Sequence, residues 1–258
     1  MKCVRVDLPK SIDELKIEIF SDLHIGSPKC DLDLINSRIE RVKNDPNTYC
    51  ILLGDIINNS TKTSVGDVYS EPFSPMTQIT TAIELFRPIK HKIIGCVSGN
   101  HERRSYKQDG IDLIYFMCSE LNIADKYSYS SLLLFIRFGT HNRYYNRKMC
   151  YTLFMTHGDG QGGRMIGGKA NGLQRRGQIV DADIVVTGHT HTPFTFRNVM
   201  YSVNYQNSSI REREQVFVNA SATLKYEEYA ELYGMSPSSV ISPRIVLSGR
   251  DRAIVVMC

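Results

Sequence analysis

Apolar residues in the first half of the chain follow two alternating spacings. Short apolar runs typical of buried strands lie at 15–20, 49–53 and 93–97. Between them, apolar residues recur every three or four positions, as on one helix face, within 32–42, 75–87 and 111–118. Asp31, Ser74 and Asp109 stand where helices would begin, and each can cap one. Three strand–helix pairs in succession predict a parallel sheet with right-handed crossovers.

From about residue 127 the pattern is mostly that of strands. The predicted strands are 132–138, 149–156, 184–187, 194–203, 215–219, 244–247 and 253–257. A glycine-rich helical segment at 164–180 interrupts them. No linker is long enough to divide the chain, so we expect residues 1–258 to form a single domain whose second half supplies a second sheet.

Carboxylate, amide and imidazole side chains follow five of these strands. They belong to Asp22, His24, Asp55, Asn100, His101, Glu102, His157, His189 and His191. Because loops at the carboxyl ends of parallel strands converge on one crevice, we expect these side chains to meet. Divalent metals bind such mixtures of oxygen and imidazole ligands. The pattern therefore indicates a two-metal hydrolase site.

With their neighbours, these residues resemble the five signature blocks of the calcineurin-like metallophosphoesterases, in that family's order. The blocks are Ser21-Asp22-Leu23-His24-Ile25-Gly26, Gly54-Asp55, Gly99-Asn100-His101-Glu102, Thr156-His157-Gly158 and Gly188-His189-Thr190-His191. The resemblance implies an α/β fold, specifically a four-layer α/β/β/α sandwich of two mixed sheets flanked by helices. It also implies an enzyme, a dinuclear metal-dependent phosphoesterase.

The resemblance further implies a role for each residue. One metal would be held by Asp22, His24 and His191, the other by Asn100, His157 and His189, with Asp55 as the bridge. Two divalent ions are implied; Mn²⁺ is favoured, and Fe, Zn, Ni and Mg also tolerate these ligands. His189 and His191 need an irregular turn to reach different metals, and we expect Gly188 to permit it.

His101 is left without a metal in this assignment. We expect it to protonate the leaving oxygen or to stabilise the phosphoryl charge while the metals activate water. Glu102, the next residue, is predicted to hold the His101 imidazole in its protonated form.

Basic residues close to these blocks are candidates for substrate binding. They are Arg103, Arg104, Arg164 and Lys169. A second stretch without acidic residues carries Arg137, Arg143, Arg147 and Lys148 among tyrosines, on strands expected to lead toward the site. Basic and aromatic side chains together suit a polyanion with stackable bases, although a solvated basic hairpin explains them as well.

The leading hypothesis is a Mn²⁺-dependent phosphodiesterase or nuclease acting on DNA, RNA or nucleotides. The alternative is a phosphomonoesterase or pyrophosphohydrolase for a small metabolite, and the third reading is a non-catalytic protein-binding scaffold. Ile-Ile-Asn-Asn follows Gly54-Asp55, where Ser/Thr protein phosphatases have Val-Asp-Arg-Gly, so that branch is disfavoured. The chain looks like a stand-alone bacterial or phage-type phosphoesterase. Its oligomeric state stays open.

Composition changes this picture little. The chain is 42% hydrophobic and 22% charged with a net charge of +4, as in ordinary globular proteins. Its seven cysteines include no Cys-x-x-Cys pair, which indicates reduced thiols and a cytoplasmic protein. Neither an apolar leader nor a run of about 20 apolar residues is present, so we expect no membrane partner.

Overall fold

The computed structural model describes residues 1–61, 71–142, 147–159, 163, 165–226 and 237–258. The strands in this part are β1 (Lys2–Asp7), β2 (Glu14–Phe20), β3 (Thr48–Leu52), β4 (Ile93–Val97), β5 (Tyr127–Ser128), β6 (Ser131–Asn142), β7 (Arg147–Thr156), β8 (Ile184–Thr187), β9 (Phe194–Asn204), β10 (Ser209–Asn219), β11 (Arg244–Ser248) and β12 (Ile254–Met257). The α-helices are α1 (Leu32–Asn44), α2 (Pro75–Phe86), α3 (Glu102–Asp109), α4 (Leu113–Glu120) and α5 (Ile166–Gly177).

The strands form two mixed sheets that pack face to face. Sheet A has the order β1-β6-β7-β8-β10-β9, and sheet B has the order β12-β11-β2-β3-β4-β5. The main core lies between the sheets and includes Ile19, Leu134 and Leu153. Helices α1, α2 and α4 cover the outer face of sheet B, and Leu173 of α5 packs on the outer face of sheet A. This is the four-layer α/β/β/α sandwich predicted above.

Two of the three predicted helix starts are confirmed. The side chains of Asp31 and Ser74 accept hydrogen bonds from backbone amides in the first turns of α1 and α2. Asp109 instead ends α3, because Gly110 follows it in a left-handed conformation (φ 73°). Asp112 then caps α4, three residues later than predicted.

The assignment of strands to sheets also differs from the prediction that each half of the chain forms one sheet. Strand β1 was not expected, and it joins the second-half strands by pairing with β6 along the edge of sheet A. Strands β11 and β12 return to sheet B, where β11 pairs with β2. Hydrophobic spacing identifies a strand but not its partner, since pairing depends on residues far apart in the chain.

The carboxyl ends of both sheets' parallel strands come together. Strands β2, β3 and β4 are parallel neighbours in sheet B, and β7 and β8 are parallel neighbours in sheet A. The predicted metal-binding residues all follow these five strands. No helix in the described ranges is both long and apolar enough to cross a membrane.

Candidate metal centre

The first group of predicted ligands comes from the loops after β2 and β8. Ligand atoms of Asp22, His24 and His191 all lie within 4.8 Å of one another. The Nε2 atom of His191 is 3.1 Å from Asp22 Oδ1 and 3.4 Å from His24 Nε2. These are the three residues assigned to one metal from the sequence.

The second group comes from the loops after β3, β4, β7 and β8. Its centre is His157 Nε2, which lies 3.2 Å from Asp55 Oδ2 and 3.0 Å from Asn100 Oδ1. His189 Nδ1 is 3.3 Å from the same nitrogen. The structure thus places Asn100, His157 and His189 together, as the sequence predicted for the other metal.

Asp55 lies between the two groups. Its Oδ2 atom, 3.2 Å from His157 on one side, is 4.0 Å from His24 Nε2 on the other. The same oxygen is 3.8 Å from His101 Nε2, so His101 stands beside both groups. This position suits a bridging carboxylate, the role that the sequence resemblance implies.

The loops reach these positions through unusual backbone conformations. Five of the seven predicted ligands have left-handed φ angles between 49° and 67°: Asp22, His24, Asp55, His189 and His191. Non-glycine residues rarely adopt this region, and such strain concentrates at functional sites. Gly188 does not supply a left-handed turn here. It instead permits close approach, because a Cβ atom there would collide with Ser21 Oγ and would lie 2.7 Å from Asp22 Oδ2.

The hydrogen bonds of two imidazoles show that the site fits cations. His157 Nδ1 lies 2.8 Å from the Leu53 carbonyl, which can only accept, so Nδ1 carries the proton. His24 Nδ1 likewise faces Asn58 Oδ1 at 3.1 Å. Both Nε2 lone pairs therefore point toward the oxygens of Asp55. Lone pairs at such distances need a cation between them, and this set of oxygen and nitrogen donors suits divalent metals.

The charges of the pocket indicate the same need. Burial lowers the pKa of His157, but Asp55 and then Asp22 outweigh burial and raise it to about 9. Burial raises the pKa of Asp22, yet His191 above all holds it at about 2. Burial and the charge of His101 lower the pKa of His24 to about 3. The two buried carboxylates, Asp22 and Asp55, are therefore stabilised by nearby positive charge. Divalent cations supply such charge and displace protons from the imidazoles that bind them.

A comparison with known families agrees with this geometry. Residues 15–193 match the sequence model of the family described as calcineurin-like phosphoesterase. The chain belongs to this family. It is accordingly a metal-dependent hydrolase of phosphate esters.

Solved structures similar to this phosphoesterase share little sequence with it. A predicted phosphoesterase from Streptococcus pneumoniae TIGR4 is 14% identical, with 96% of this chain and 91% of that one covered and a TM-score of 0.40. Zinc-complexed Vps29 from Entamoeba histolytica is 12% identical, with 94% and 90% covered and a TM-score of 0.38. The NAD nucleotidase of Haemophilus influenzae is 12% identical, with 95% and 49% covered and a TM-score of 0.45. No curated protein sequence matches the chain.

His101 of the phosphoesterase is held by its backbone surroundings. Its Nδ1 lies 2.5 Å from the carbonyl oxygen of Asn58, so Nδ1 donates the hydrogen bond. The Nε2 atom faces Asp55 and accepts a hydrogen bond from Arg104 Nη2 at 3.0 Å. Burial lowers the pKa of His101, and Asp55 partly offsets that effect. Nε2 is therefore the ring nitrogen of His101 that faces the metal centre.

Glu102 corrects a prediction. Its carboxylate was expected to hold the His101 imidazole, but the described contacts take it to backbone amides instead. Oxygen Oε1 accepts from the amides of Ile56 and Ile57, and Oε2 accepts from those of Asp55 and Gly99. Burial, followed by the charge of Asp55, raises the pKa of Glu102 to about 7. Glu102 is the first residue of α3, and its carboxylate links the loops after β3 and β4 by accepting hydrogen bonds from amides of both.

The predicted substrate-binding residues divide into different groups. Arg104 reaches the site beside His101. Arg103 points away, because its Nη2 donates to the carbonyls of Ser98 (2.8 Å) and Tyr129 (2.9 Å).

Lys169, on α5, donates to Thr192 Oγ1 at 2.6 Å and to the Thr190 carbonyl at 3.3 Å. It therefore supports the turn that carries His189 and His191. Arg164 lies outside the described residues.

Arg137, Arg147 and Lys148 of the second basic stretch lie away from the metal centre, and Arg143 lies outside the described residues. Strand β7 begins at Arg147 and ends just before His157, and Arg137 of β6 pairs with Cys150 near the start of β7. At about 3.3 Å per residue, Arg147 lies roughly 30 Å from His157. Strand β7 does lead toward the site, as expected, but these basic residues lie at its far end, because β6 and β7 run in opposite directions and meet there.

Two residues that shape the site were missed from the sequence. Asn58 binds His24 through its side chain and His101 through its carbonyl. Asn219 Nδ2 donates to Thr190 Oγ1 and to the Thr192 carbonyl, both at 2.7 Å. Each asparagine follows or ends a buried strand, which was the available signal, but asparagine in such positions is also common in turns.

Proposed function

We propose that this phosphoesterase is a phosphodiesterase acting on nucleic acid or nucleotides, with Mn²⁺ as its metal. In this proposal Asp55 bridges two ions. The first ion is held by Asp22, His24 and His191, and the second by Asn100, His157 and His189. The two groups of donor atoms on either side of Asp55 support this division.

The number of cationic side chains beside the metal centre favours a phosphodiester as the substrate. A phosphomonoester has one more ionisable oxygen than a diester and calls for more positive charge around it. Of the three predicted substrate-binding residues within the described ranges, Arg104 is the one beside the site: its Nη2 contacts His101 and its Nη1 donates to the carbonyls of Asn58 and Asn59. Arg103 and Lys169 are bound away from it. One guanidinium matches the single charge of a diester.

The residues of the chain then have distinct tasks. Bound divalent ions supply Lewis acidity, which makes water a better nucleophile and neutralises phosphoryl charge. His101 presents Nε2 to the substrate because the Asn58 carbonyl fixes Nδ1. In this proposal Nε2 takes up a proton, which releases its hydrogen bond from Arg104, and the resulting imidazolium donates that proton to the leaving oxygen. The released guanidinium of Arg104 then binds a phosphoryl oxygen.

The substrate class is tested with two chromogenic esters. With Mn²⁺ present, kcat/KM for bis-p-nitrophenyl phosphate should exceed that for p-nitrophenyl phosphate. A preference for the monoester would instead favour the phosphomonoesterase alternative.

The role of His101 is tested by His101→Ala, for which we expect a loss of about 10²- to 10⁴-fold in kcat with Mn²⁺ affinity retained. The loss should be larger for a phenyl diester than for a p-nitrophenyl diester, since phenolate is the poorer leaving group. Equal losses would contradict a proton donor and leave charge stabilisation as the role.

A further inference from the structure

A basic surface lies on the outer face of sheet A, away from the metal centre. Its residues are Arg5 and Asp7 of β1, Phe135 and Arg137 of β6, and Lys148 of β7. Alternation along the strands places these side chains on the face opposite the main core, since the intervening Val6, Leu134, Ile136 and Met149 belong to that core. We call this set the β1–β7 face.

Among the described residues, the β1–β7 face is strongly positive and partly open to solvent, with side-chain exposure from 20% for Lys148 to 65% for Arg5. The outer-face cluster under α5 includes Leu133 and Phe154, which lie toward the other end of β6 and β7. Asp7 binds Arg5 Nε at 2.5 Å, Lys148 Nζ at 3.6 Å and Arg137 Nη1 at 3.7 Å. One carboxylate thus faces three cations, and Lys10 and Arg147 line the same shallow depression. The surplus charge favours an anionic partner.

An aromatic ring stands within this positive field. Phe135 is 36% exposed, although strands flank β6 on both sides, and β-strand register sets it opposite Arg5 and Thr152. Arg137, two residues along, has a side chain that is also 36% exposed. Cations beside an open aromatic ring on a flat sheet match single-stranded nucleic acid, whose phosphates and unstacked bases they can bind together.

We propose that the β1–β7 face binds single-stranded nucleic acid, with Arg5, Arg137 and Lys148 on the phosphates and Phe135 stacked on a base. A duplex lacks an unstacked base for Phe135, and a membrane or an acidic protein lacks bases altogether. The face lies roughly 15–25 Å from His157, because Phe135 and Arg137 pair with Thr152 and Cys150, five and seven residues before His157 along β7. It would therefore hold a strand separately from the metal centre, and the binding does not depend on the hydrolytic function proposed above.

Binding is measured by fluorescence anisotropy of a labelled ten-nucleotide oligothymidine with EDTA present, so that no turnover occurs. Phe135→Ala should weaken binding about tenfold. The double variant Arg137→Gln/Lys148→Gln should weaken it at least tenfold and reduce the salt slope by about 1.4, for two lost phosphate contacts. The matched control is Lys43→Gln/Arg87→Gln, which removes the same charge from exposed positions outside sheet B and should bind as the wild type does.

Three further measurements distinguish single-strand binding from non-specific attraction of any polyanion. Duplex DNA and inorganic polyphosphate should bind more weakly than the single strand and should be insensitive to Phe135→Ala. The proposal is overturned if Phe135→Ala binds oligothymidine like the wild type, or if the control variant weakens binding as much as the face variant. Hydrolysis of bis-p-nitrophenyl phosphate should be unchanged in every variant, so failure of catalysis and failure of this binding face are separate results.

Discussion

Replacing Glu102 by glutamine tests the support beneath the bridging carboxylate. Glu102 is 1% exposed, and its two oxygens receive four backbone N–H groups. Glutamine keeps the shape and one oxygen, which can still accept from Ile56 and Ile57. Its NH₂ group would face the amides of Asp55 (3.1 Å) and Gly99 (2.8 Å), and both are donors.

The magnitude follows from these contacts. A hydrogen bond to a charged acceptor contributes about 1.5–3 kcal/mol, and a buried donor left without a partner costs a similar amount. Glu102→Gln loses two such bonds, while removal of a buried charge offsets part of the loss. We expect the free energy of unfolding to fall by about 3 kcal/mol, a large effect for one substitution.

Urea unfolding followed by circular dichroism, with EDTA present, measures this loss without any contribution from bound metal. Glu40→Gln is the matched control, because Glu40 is exposed on α1 and pairs with Lys43 at the surface, so its effect should stay within about 0.5 kcal/mol. Mn²⁺ affinity should fall in Glu102→Gln, since the amide of Asp55 loses its anchor. Unchanged stability together with an altered pH profile of hydrolysis would refute this reasoning and restore Glu102 as the partner of His101.

Substitutions at three other residues have defined outcomes. Gly188→Ala should weaken Mn²⁺ binding and lower the free energy of unfolding by about 1–3 kcal/mol, because the new Cβ would crowd Asp22. A Mn²⁺ affinity equal to that of the wild type, measured by calorimetric titration, would contradict this. Asn58→Ala should weaken Mn²⁺ binding about 10- to 100-fold by releasing His24, whereas Asn58→Asp should retain the wild-type affinity. Equal Mn²⁺ affinities of the two variants would exclude a role of Asn58 in orienting His24. Burial raises the pKa of Asp183, but hydrogen bonds from Thr152 and the charge of a neighbouring arginine bring it below its usual range. Its ionised form therefore stabilises the fold above about pH 4, so Asp183→Asn should lower the urea midpoint at pH 7 and lose this effect as the pH falls through the folded-state pKa.

The convergence of the metal-binding residues was predictable because it depends on local signals. Asp22, Asp55 and His157 each follow a short apolar run, and parallel strands bring their carboxyl ends to one edge. The order of the motifs along the chain is therefore enough to group these residues at one edge.

Side-chain direction was less predictable. Arg103 and Arg104 are adjacent on α3, yet one binds the carbonyl of Tyr129 and the other reaches His101. Successive helix residues point about 100° apart, and the partner of each arises from a distant part of the chain. Glu102 was misassigned for the same reason, since its acceptor sites are filled by amides from two loops.

Support for the metal centre extends beyond the residues that match the family. The match ends at residue 193, but Asn219 accepts from Thr187 at 2.8 Å and donates to Thr190. Ser238 Oγ donates to the carbonyl of His191 at 2.7 Å. His189 and His191 have left-handed backbones, and such strain persists only where surrounding contacts fix it. The five motifs contain the proposed ligands, and strand β10 and residue 238 supply contacts that hold the turn of His189 and His191 in its strained conformation.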